Sequence, residues 1–267
     1  MPLEVIALLV AAGIVAGLVA GLFGVGGGVI VVPILRFLAD KLGWPADQAM
    51  HLAVATSTAA VLPTALSSAR AHLRHGTVDT AIVRIWAPPM ALASIAAAAM
   101  APYVSTAGLT FVFAAFAIVV GVRMALPGAW RWREALPAPG LQRVLAALVG
   151  WFSSWMGIGA GTLGVPTLTA VGASIHRAVG TAALLGVFVS APALVGWLWS
   201  ARHAPDVVGP SIGYIQLLPL AAMLLPMVLL APLGARIAKA LPPTNLRRIF
   251  GVFLLCVSVA LFDRAMR

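Results

Sequence analysis

The sequence contains little that could form a covalent or charged framework. One cysteine, Cys256, is present among 267 residues, which excludes disulfide frameworks and cysteine-ligated metal sites. Only 9% of the residues are charged, and seven of them are acidic. The composition is 62% hydrophobic with a mean hydropathy of +1.05, which cannot provide a water-soluble surface. These features together predict a polytopic membrane protein.

The few acidic residues lie at the ends of predicted apolar segments or in loops. They are Glu4, Asp40, Asp47, Asp79, Glu134, Asp206 and Asp263. No carboxylate is therefore expected at mid-membrane, where acids of membrane proteins carry protons or bind ions. The sequence also has no HExxH motif, no paired aspartates and no Ser-Lys or Ser-His pair in apolar surroundings. This disfavours a membrane-embedded enzyme, and no metal site or cofactor is predicted.

Apolar runs suited to a bilayer recur along the whole chain. In the first half we predict segments at 3–23, 28–42, 51–73, 80–101 and 106–126. In the second half we predict segments at 141–157, 161–173, 176–200, 211–237 and 245–262. The first segment lacks the basic region of a signal peptide, so we expect it to be a retained helix. The segments at 28–42 and 161–173 are short, and each follows a glycine-rich break.

A glycine-proline motif occurs twice. Residues 21–33 read GLFGVGGGVIVVP and residues 154–166 read SWMGIGAGTLGVP. A second pair of related blocks follows, HLAVAT at 51–56 and HRAVGT at 176–181. Because small residues match small residues and proline matches proline, we interpret the chain as an internal repeat. The predicted parts are a first repeat at 1–126, a basic linker at 127–140 and a second repeat at 141–267.

The net charge of +10 indicates topology and not nucleic-acid binding, because Lys and Arg lie almost entirely between apolar runs. Most of them lie in the loops at 70–84, 123–143, 173–177 and 236–248. These loops share one side of the membrane if each half crosses it an odd number of times, which the positive-inside rule favours over four crossings per half. We therefore predict an all-α protein of two inverted repeats with discontinuous helices.

The glycine breaks are suited to contact with an anion. Backbone N–H groups at a helix start attract negative charge, and glycine lets the backbone approach a ligand or another helix closely. We predict that the two breaks meet near the bilayer midplane, as discontinuous helices of transporters do. Pro33 and Pro166 are predicted to lie near the start of each second piece, where a missing N–H is tolerated.

The glycines also allow roles other than a functional break. Gly13, Gly17 and Gly21 have the small-xxx-small spacing of a helix-packing face, which is the interpretation we favour for these three. A nucleotide-binding P-loop is excluded because no Lys-Ser or Lys-Thr follows either motif. For the denser glycines of the two motifs we favour a functional break, since each interior glycine destabilises a helix by about 1 kcal/mol relative to alanine.

The motifs resemble those of the sulfite exporter and sulfonate permease family, TauE/SafE. The resemblance covers essentially the whole chain and depends on Gly24-x-Gly26-Gly27-Gly28 with Pro33, Ala55-Thr56-Ser57, and Arg74-His75-Gly76-x-Val78-Asp79. It implies a permease for sulfur-containing anions such as sulfite, sulfoacetate and related sulfonates. The second motif departs from the first at Ala160, which replaces a glycine, so we expect the second break to be less open.

The candidate substrate-binding residues come from both repeats. They are Gly24, Gly26, Gly27, Gly28, Pro33, Thr56, Ser57, Gly157, Gly159, Gly161, Thr162, Pro166 and Thr181. Hydroxyl groups can donate to an oxyanion, although Ser and Thr in membrane helices often bond to their own or a neighbouring helix. His51 and His176 are candidate proton-linked residues, with simple solvation at a helix start as the alternative.

The combined prediction is a secondary transporter in the inner (cytoplasmic) membrane for a small sulfur-containing anion, operating by alternating access. The alternatives are an anion channel and a permease for a non-sulfur organic anion. The expected partners are the anion and the lipid bilayer, with no nucleic acid. A coupling ion could be a proton or sodium, and uniport is also open.

Overall fold

The computed structural model describes residues 2–24, 26–126, 136–204, 206 and 209–240, with 242, 244, 248–249, 251–252, 254–256 and 258–259. Residues 127–135 of the predicted linker and much of the predicted segment at 245–262 lie outside the described residues. The described part is almost entirely helical. Its helices are α1 (Leu3–Phe23), α2 (Gly28–Leu38), α3 (Ala49–Arg74), α4 (Thr80–Met100), α5 (Thr106–Ala125), α6 (Pro139–Trp155), α7 (Gly161–Ala170), α8 (Ile175–Trp199) and α9 (Leu217–Ala240).

Six of the described helices are long and apolar enough to cross a membrane. These are α1, α3, α4, α5, α8 and α9. Large apolar side chains cover the outside of the bundle, as a lipid-facing surface requires. Examples are Leu92, Phe111, Val119 and Leu225, each more than 60% exposed. The structure is thus that of an all-α, multi-pass membrane protein, as predicted.

The short helices α2 and α7 end earlier than predicted, at Leu38 and Ala170. The predicted apolar segment at 211–237 is also divided. Residues Ser211–Ile212 and Ile215–Gln216 form a short antiparallel hairpin, β1 and β2, before α9 begins. The division occurs because Gly213 adopts a φ of 58°, a turn conformation that glycine accepts without strain and that a helix cannot contain.

The helices α3 and α8 occupy the middle of the bundle and are the most buried of the six. The outer helices α1, α4, α6 and α9 pack on helices of the other half. The helix α1 packs along α9, and its repeat counterpart α6 packs along α4, which is the counterpart of α9. Each of these two pairs therefore joins one helix of the first half to one helix of the second half. The inverted relation of the halves and the boundaries at 126 and 140 stay predictions.

Glycines hold α1 against α9, which run parallel. A Cβ at Gly13 would lie 2.6 Å from the carbonyl oxygen of Met223, and one at Gly17 would lie 2.7 Å from that of Met227. At Gly21 an added Cβ would overlap the carbonyl oxygen of Ala231. These contacts confirm the prediction that the first three glycines pack two helices closely.

The helix directions give the bundle two distinct ends. One end, which we call the basic face, contains the end of α3 and the starts of α4 and α8, where Arg177 lies 3.6 Å from Asp79. The other end, which we call the opposite face, contains the start of α1 and the segment after α2, because Pro2 and Leu42 line one cavity there. The pair α1–α2 therefore returns to the face from which it starts.

Candidate functional site

The two glycine breaks are in direct backbone contact in the middle of the bundle. A Cβ at Gly28 would overlap the carbonyl oxygen of Gly157 and would lie 2.9 Å from the Cα of Ile158. A Cβ at Gly26 would lie 3.6 Å from the Cα of Gly159. The breaks also contact the central helices, since Gly24 faces Val179 of α8. The structure therefore brings the two motifs together, as the sequence predicted.

The first break is formed by glycines in the left-handed region. Gly24, Gly26 and Gly27 have φ values of 65°, 75° and 82°, which L side chains rarely adopt. In the second break Gly157 has a φ of 62°, and Gly159 is not among the described glycines with positive φ. Ala160 has a φ of −60°, an ordinary helical value. The replacement of glycine by alanine at this position is therefore compatible with the local backbone.

Both prolines lie inside the short helices. Pro33 and Pro166 occupy the second turns of α2 and α7 rather than the first turns that the sequence suggested. A proline in this position provides no N–H for the carbonyl one turn earlier, which belongs to Val29 or Thr162. Each short helix thus has a backbone carbonyl oxygen without its usual donor close to its break. Such oxygens can accept a proton donor or coordinate a cation.

Ser57 connects the first repeat to the second break. Its hydroxyl group donates to the carbonyl oxygen of Gly157 at 2.7 Å, and its side chain is fully buried. An added Cβ at Gly28 would lie 3.0 Å from Ser57 Oγ. The serine hydrogen is engaged in this contact, so Ser57 connects α3 to the second break in this conformation of the protein.

Three buried threonines near the breaks have hydroxyl hydrogens that can donate a hydrogen bond. Thr56 Oγ1 accepts the backbone N–H of Gln216, and Thr181 Oγ1 accepts that of Asp79, each at 2.9 Å. Because both hydroxyls act as acceptors in these bonds, their hydrogens remain available to donate. Thr162 is also fully buried, and its Oγ1 has no hydrogen-bond partner within the described part of the chain.

The threonine contacts reveal a third repeated block that the sequence analysis missed. Residues 76–79 read GTVD before α4, and residues 213–216 read GYIQ before α9. Both blocks begin with a glycine of positive φ, 67° at Gly76 and 58° at Gly213. We call these blocks the α4 loop and the α9 loop. A search for glycine, an aliphatic residue and a polar residue directly before corresponding helices would have detected them.

Each loop reaches the central helix of the other repeat. The α4 loop contacts α8 at the basic face, where the backbone of Thr77 lies too close to Gly180 for a side chain at that position. The α9 loop contacts α3 near the opposite face, through Gln216 and Thr56. Burial raises the pKa of the Tyr214 phenol in the α9 loop, so this group stays neutral at physiological pH.

The two candidate histidines occupy different environments. His51 is buried near the opposite face, where Nε2 lies 2.8 Å from the carbonyl oxygen of Val104. His176 is exposed at the start of α8. A third histidine, His72, was not predicted. It is 4% exposed and lies 3.1 Å from Thr77 Oγ1 and 3.4 Å from the carbonyl oxygen of Gly21. A proton-linked role of His51 and His176 stays a prediction.

Thr56→Val and Thr181→Val are each expected to destabilise the protein by about 1–2 kcal/mol, because a buried backbone N–H loses its acceptor. The measurement is thermal unfolding in detergent. Thr58→Val provides a matched control, since Thr58 bonds only to the carbonyl oxygen of Val54 in its own helix. Serine at positions 56 and 181 should restore stability. Equal effects at position 58 would contradict a special role for the loop contacts.

The chain is similar to several known membrane proteins. The family model described as "Sulfite exporter TauE/SafE" matches residues 9–261. A "Probable membrane transporter protein" of Haemophilus influenzae is 30% identical over 258 residues, which cover 96% of this chain and 98% of the relative. A protein of the same description from Methanocaldococcus jannaschii is 25% identical over 264 residues, covering 95% and 96% of the two chains. No solved structure gives a significant match.

Proposed function

The chain belongs to the sulfite exporter TauE/SafE family of membrane transporters, and from this premise we propose that it carries a small sulfur-containing anion by alternating access. The proposed location is the inner membrane. The observation that carries the proposal is the contact of the two glycine breaks between α3 and α8. In this position backbone groups from both repeats can contact one small ligand.

The chemistry of the breaks suits an oxyanion. The first turns of α2 and α7 present backbone N–H groups, which favour negative charge. Thr56, Thr162 and Thr181 add hydroxyl hydrogens from three helices. The carboxylate of Asp79, whose backbone N–H bonds to Thr181, is paired with Arg177 at 3.6 Å. Hydrogen-bond donors in a buried site bind an oxyanion strongly because water does not compete.

The two loops support alternating access. The α9 loop contacts α3 near the opposite face, and the α4 loop contacts α8 at the basic face. In the proposed cycle these contacts break and form in turn, so the breaks open to one side of the membrane at a time. Each half of the chain thus closes one access path, because its loop contacts the central helix of the other half.

The test is a ligand panel on the purified protein. Thermal shift and calorimetry would compare sulfite, sulfate, thiosulfate, sulfoacetate, taurine and isethionate with phosphate and acetate, with and without sodium. A ligand at 100 times its Kd stabilises the folded state by about 2.7 kcal/mol. We expect a response confined to sulfur oxyanions and sulfonates. A response to phosphate or acetate alone would contradict the proposed substrate class. Flux in proteoliposomes at carrier rates, well below channel rates, would then support alternating access.

A further inference from the structure

A cavity of about 470 Å³ opens at the opposite face between the segment after α2 and the α9 loop. Its lining includes Lys41, Trp44, Pro210, Gln216 and Leu218. Lys41 is exposed and is the one charged side chain among the lining residues that the structure describes. The cavity therefore combines an apolar wall with a positive charge at its solvent side, which attracts anions.

Gln216 provides a buried donor in this cavity. The residue is 3% exposed, and its Nε2 has no hydrogen-bond partner among the described residues. A buried amide N–H₂ without a partner is costly, and such groups are usually paired with protein, water or a ligand. Gln216 is among the residues that line the cavity, so a ligand in the cavity can supply the missing acceptor.

Gln216 also contacts α3 beside the candidate substrate site. The backbone N–H of Gln216 donates to Thr56 Oγ1 at 2.9 Å. The next residue along α3, Ser57, donates to the carbonyl oxygen of Gly157 in the second break. The bond between Gln216 and α3 thus lies next to the residue that contacts the second break, and it is a contact that the proposed cycle opens.

The equivalent position of the α4 loop has the opposite electrostatic character. Asp79 corresponds to Gln216, and its carboxylate lies 3.6 Å from Arg177 at the basic face. Its other oxygen accepts the backbone N–H groups of Ala81 and Ile82 in the first turn of α4. A carboxylate in this position repels an anion, whereas an amide N–H₂ donates to one. The two access paths therefore differ in how they receive the substrate.

We propose that the cavity at the opposite face is the entry site for the transported anion and that the Gln216 amide binds an oxygen of the anion there. This inference rests on the proposed function and adds a substrate-binding residue to it. The ligand chemistry is that of a small oxyanion. A lipid headgroup phosphate has similar chemistry, so the experiment must distinguish the free anion from the lipid.

The experiment measures the reaction of a thiol at position 216. Gln216→Cys is made in a Cys256→Ser background and reconstituted in vesicles of known orientation. Two impermeant methanethiosulfonate reagents are applied from each side, one with an anionic sulfonate and one with a cationic ammonium group. The protecting ligand is sulfoacetate, because sulfite itself reacts with thiol reagents. Asp79→Cys in the same background provides the control for sidedness.

We expect position 216 to react only from the opposite face and position 79 only from the basic face. Sulfoacetate at ten times its Kd should slow the reaction at position 216 about tenfold. The anionic reagent should react faster than the cationic one relative to a free thiol, and Lys41→Gln should reduce this preference. Reaction that sulfoacetate does not slow, or that changes only with the anionic lipid content of the vesicle, would overturn the proposal.

A second variant tests the role of Gln216 without an introduced cysteine. Gln216→Glu keeps the size of the side chain but places a carboxylate in the path, so kcat/KM for transport should fall about tenfold in both directions. Ala46→Glu, which adds a carboxylate at an exposed position of the same face outside this cavity, should stay within about twofold of the parent. Normal transport by Gln216→Glu would overturn the inference.

The outcomes separate the two proposals. If the parent protein transports sulfoacetate but position 216 is not protected, the entry site is wrong and the proposed function stands. If no sulfur anion is transported but phosphate or acetate protects position 216, the entry site stands and the proposed substrate class is wrong.

Discussion

Gly28→Ala is expected to abolish transport while the protein still inserts into the membrane. The added methyl group would overlap the carbonyl oxygen of Gly157 and would lie 2.9 Å from the Cα of Ile158. Backbone atoms cannot rotate away as a side chain can, so α2 and the second break must separate. Overpacking of this kind destabilises a protein by about 1–3 kcal/mol. The lost geometry should affect transport more than stability, because the proposed substrate contacts both breaks.

Gly164→Ala is the matched control for this prediction. Gly164 lies in α7 beside the second break, but a Cβ there would meet its nearest atoms at 3.8 Å or more, an ordinary contact distance. The measurements are substrate flux in proteoliposomes, expression in the membrane fraction and thermal unfolding. Gly28→Ala with normal flux would exclude the breaks as the substrate site. Loss of expression in Gly28→Ala alone would instead indicate that Gly28 serves packing.

Valine at the other break positions extends the test. Gly26→Val would place its Cβ 2.6 Å from Val61 Cγ1 at a φ of 75°, so it combines a clash with backbone strain. Gly159→Val and Gly161→Val alter the second break. Each substitution should abolish transport while leaving membrane insertion intact, since bulk in either break prevents the close approach that the site requires.

Gly21→Val is expected to prevent accumulation of folded protein. The glycine lies between the backbones of α1 and α9, where an added Cβ would overlap the carbonyl oxygen of Ala231 and lie 2.6 Å from the N atom of Ala235. Its partner Gly234 is equally confined, because a Cβ there would overlap the carbonyl oxygen of Leu18. A larger residue forces apart two long helices, and we expect a loss of about 3 kcal/mol.

The measurement is size-exclusion chromatography of the detergent-extracted protein, followed by thermal unfolding. Gly140→Val is the control, since nothing lies within 4 Å of a Cβ at that position. A stable, monodisperse Gly21→Val protein would mean that α1 and α9 can separate without loss of the fold, and the packing assignment would then be wrong.

Much of the helix arrangement was predictable because it follows from local composition. Apolar runs must form helices in lipid, and the dense glycines around Gly26 and Gly159 cannot continue a helix. The predicted contact between the two breaks agrees with the structure, because the two breaks come from corresponding motifs of the two halves. The register of α1 on α9 was not predictable, since small-xxx-small spacing identifies a contact face and not its partner.

The loop contacts could not be predicted from the sequence, for a physical reason. Thr56 and Thr181 matched in the repeat, but their acceptor role depends on loops more than 100 residues away in sequence. His72 was missed because burial of a histidine within an apolar helix cannot be distinguished from exposure by composition alone. The turn at Gly213 interrupts an otherwise apolar run, and glycine in such a run is equally compatible with a helix.

The shortness of α2 and α7 has a consequence for biosynthesis. With 11 and 10 residues, these helices extend about 16 Å at 1.5 Å per residue, roughly half of the hydrocarbon thickness. Neither can leave the translocation channel as an independent span, because one of its polar ends would remain in lipid. Each must therefore enter the bilayer together with the helix before it, as a paired unit that is completed only when α3 or α8 has been synthesised.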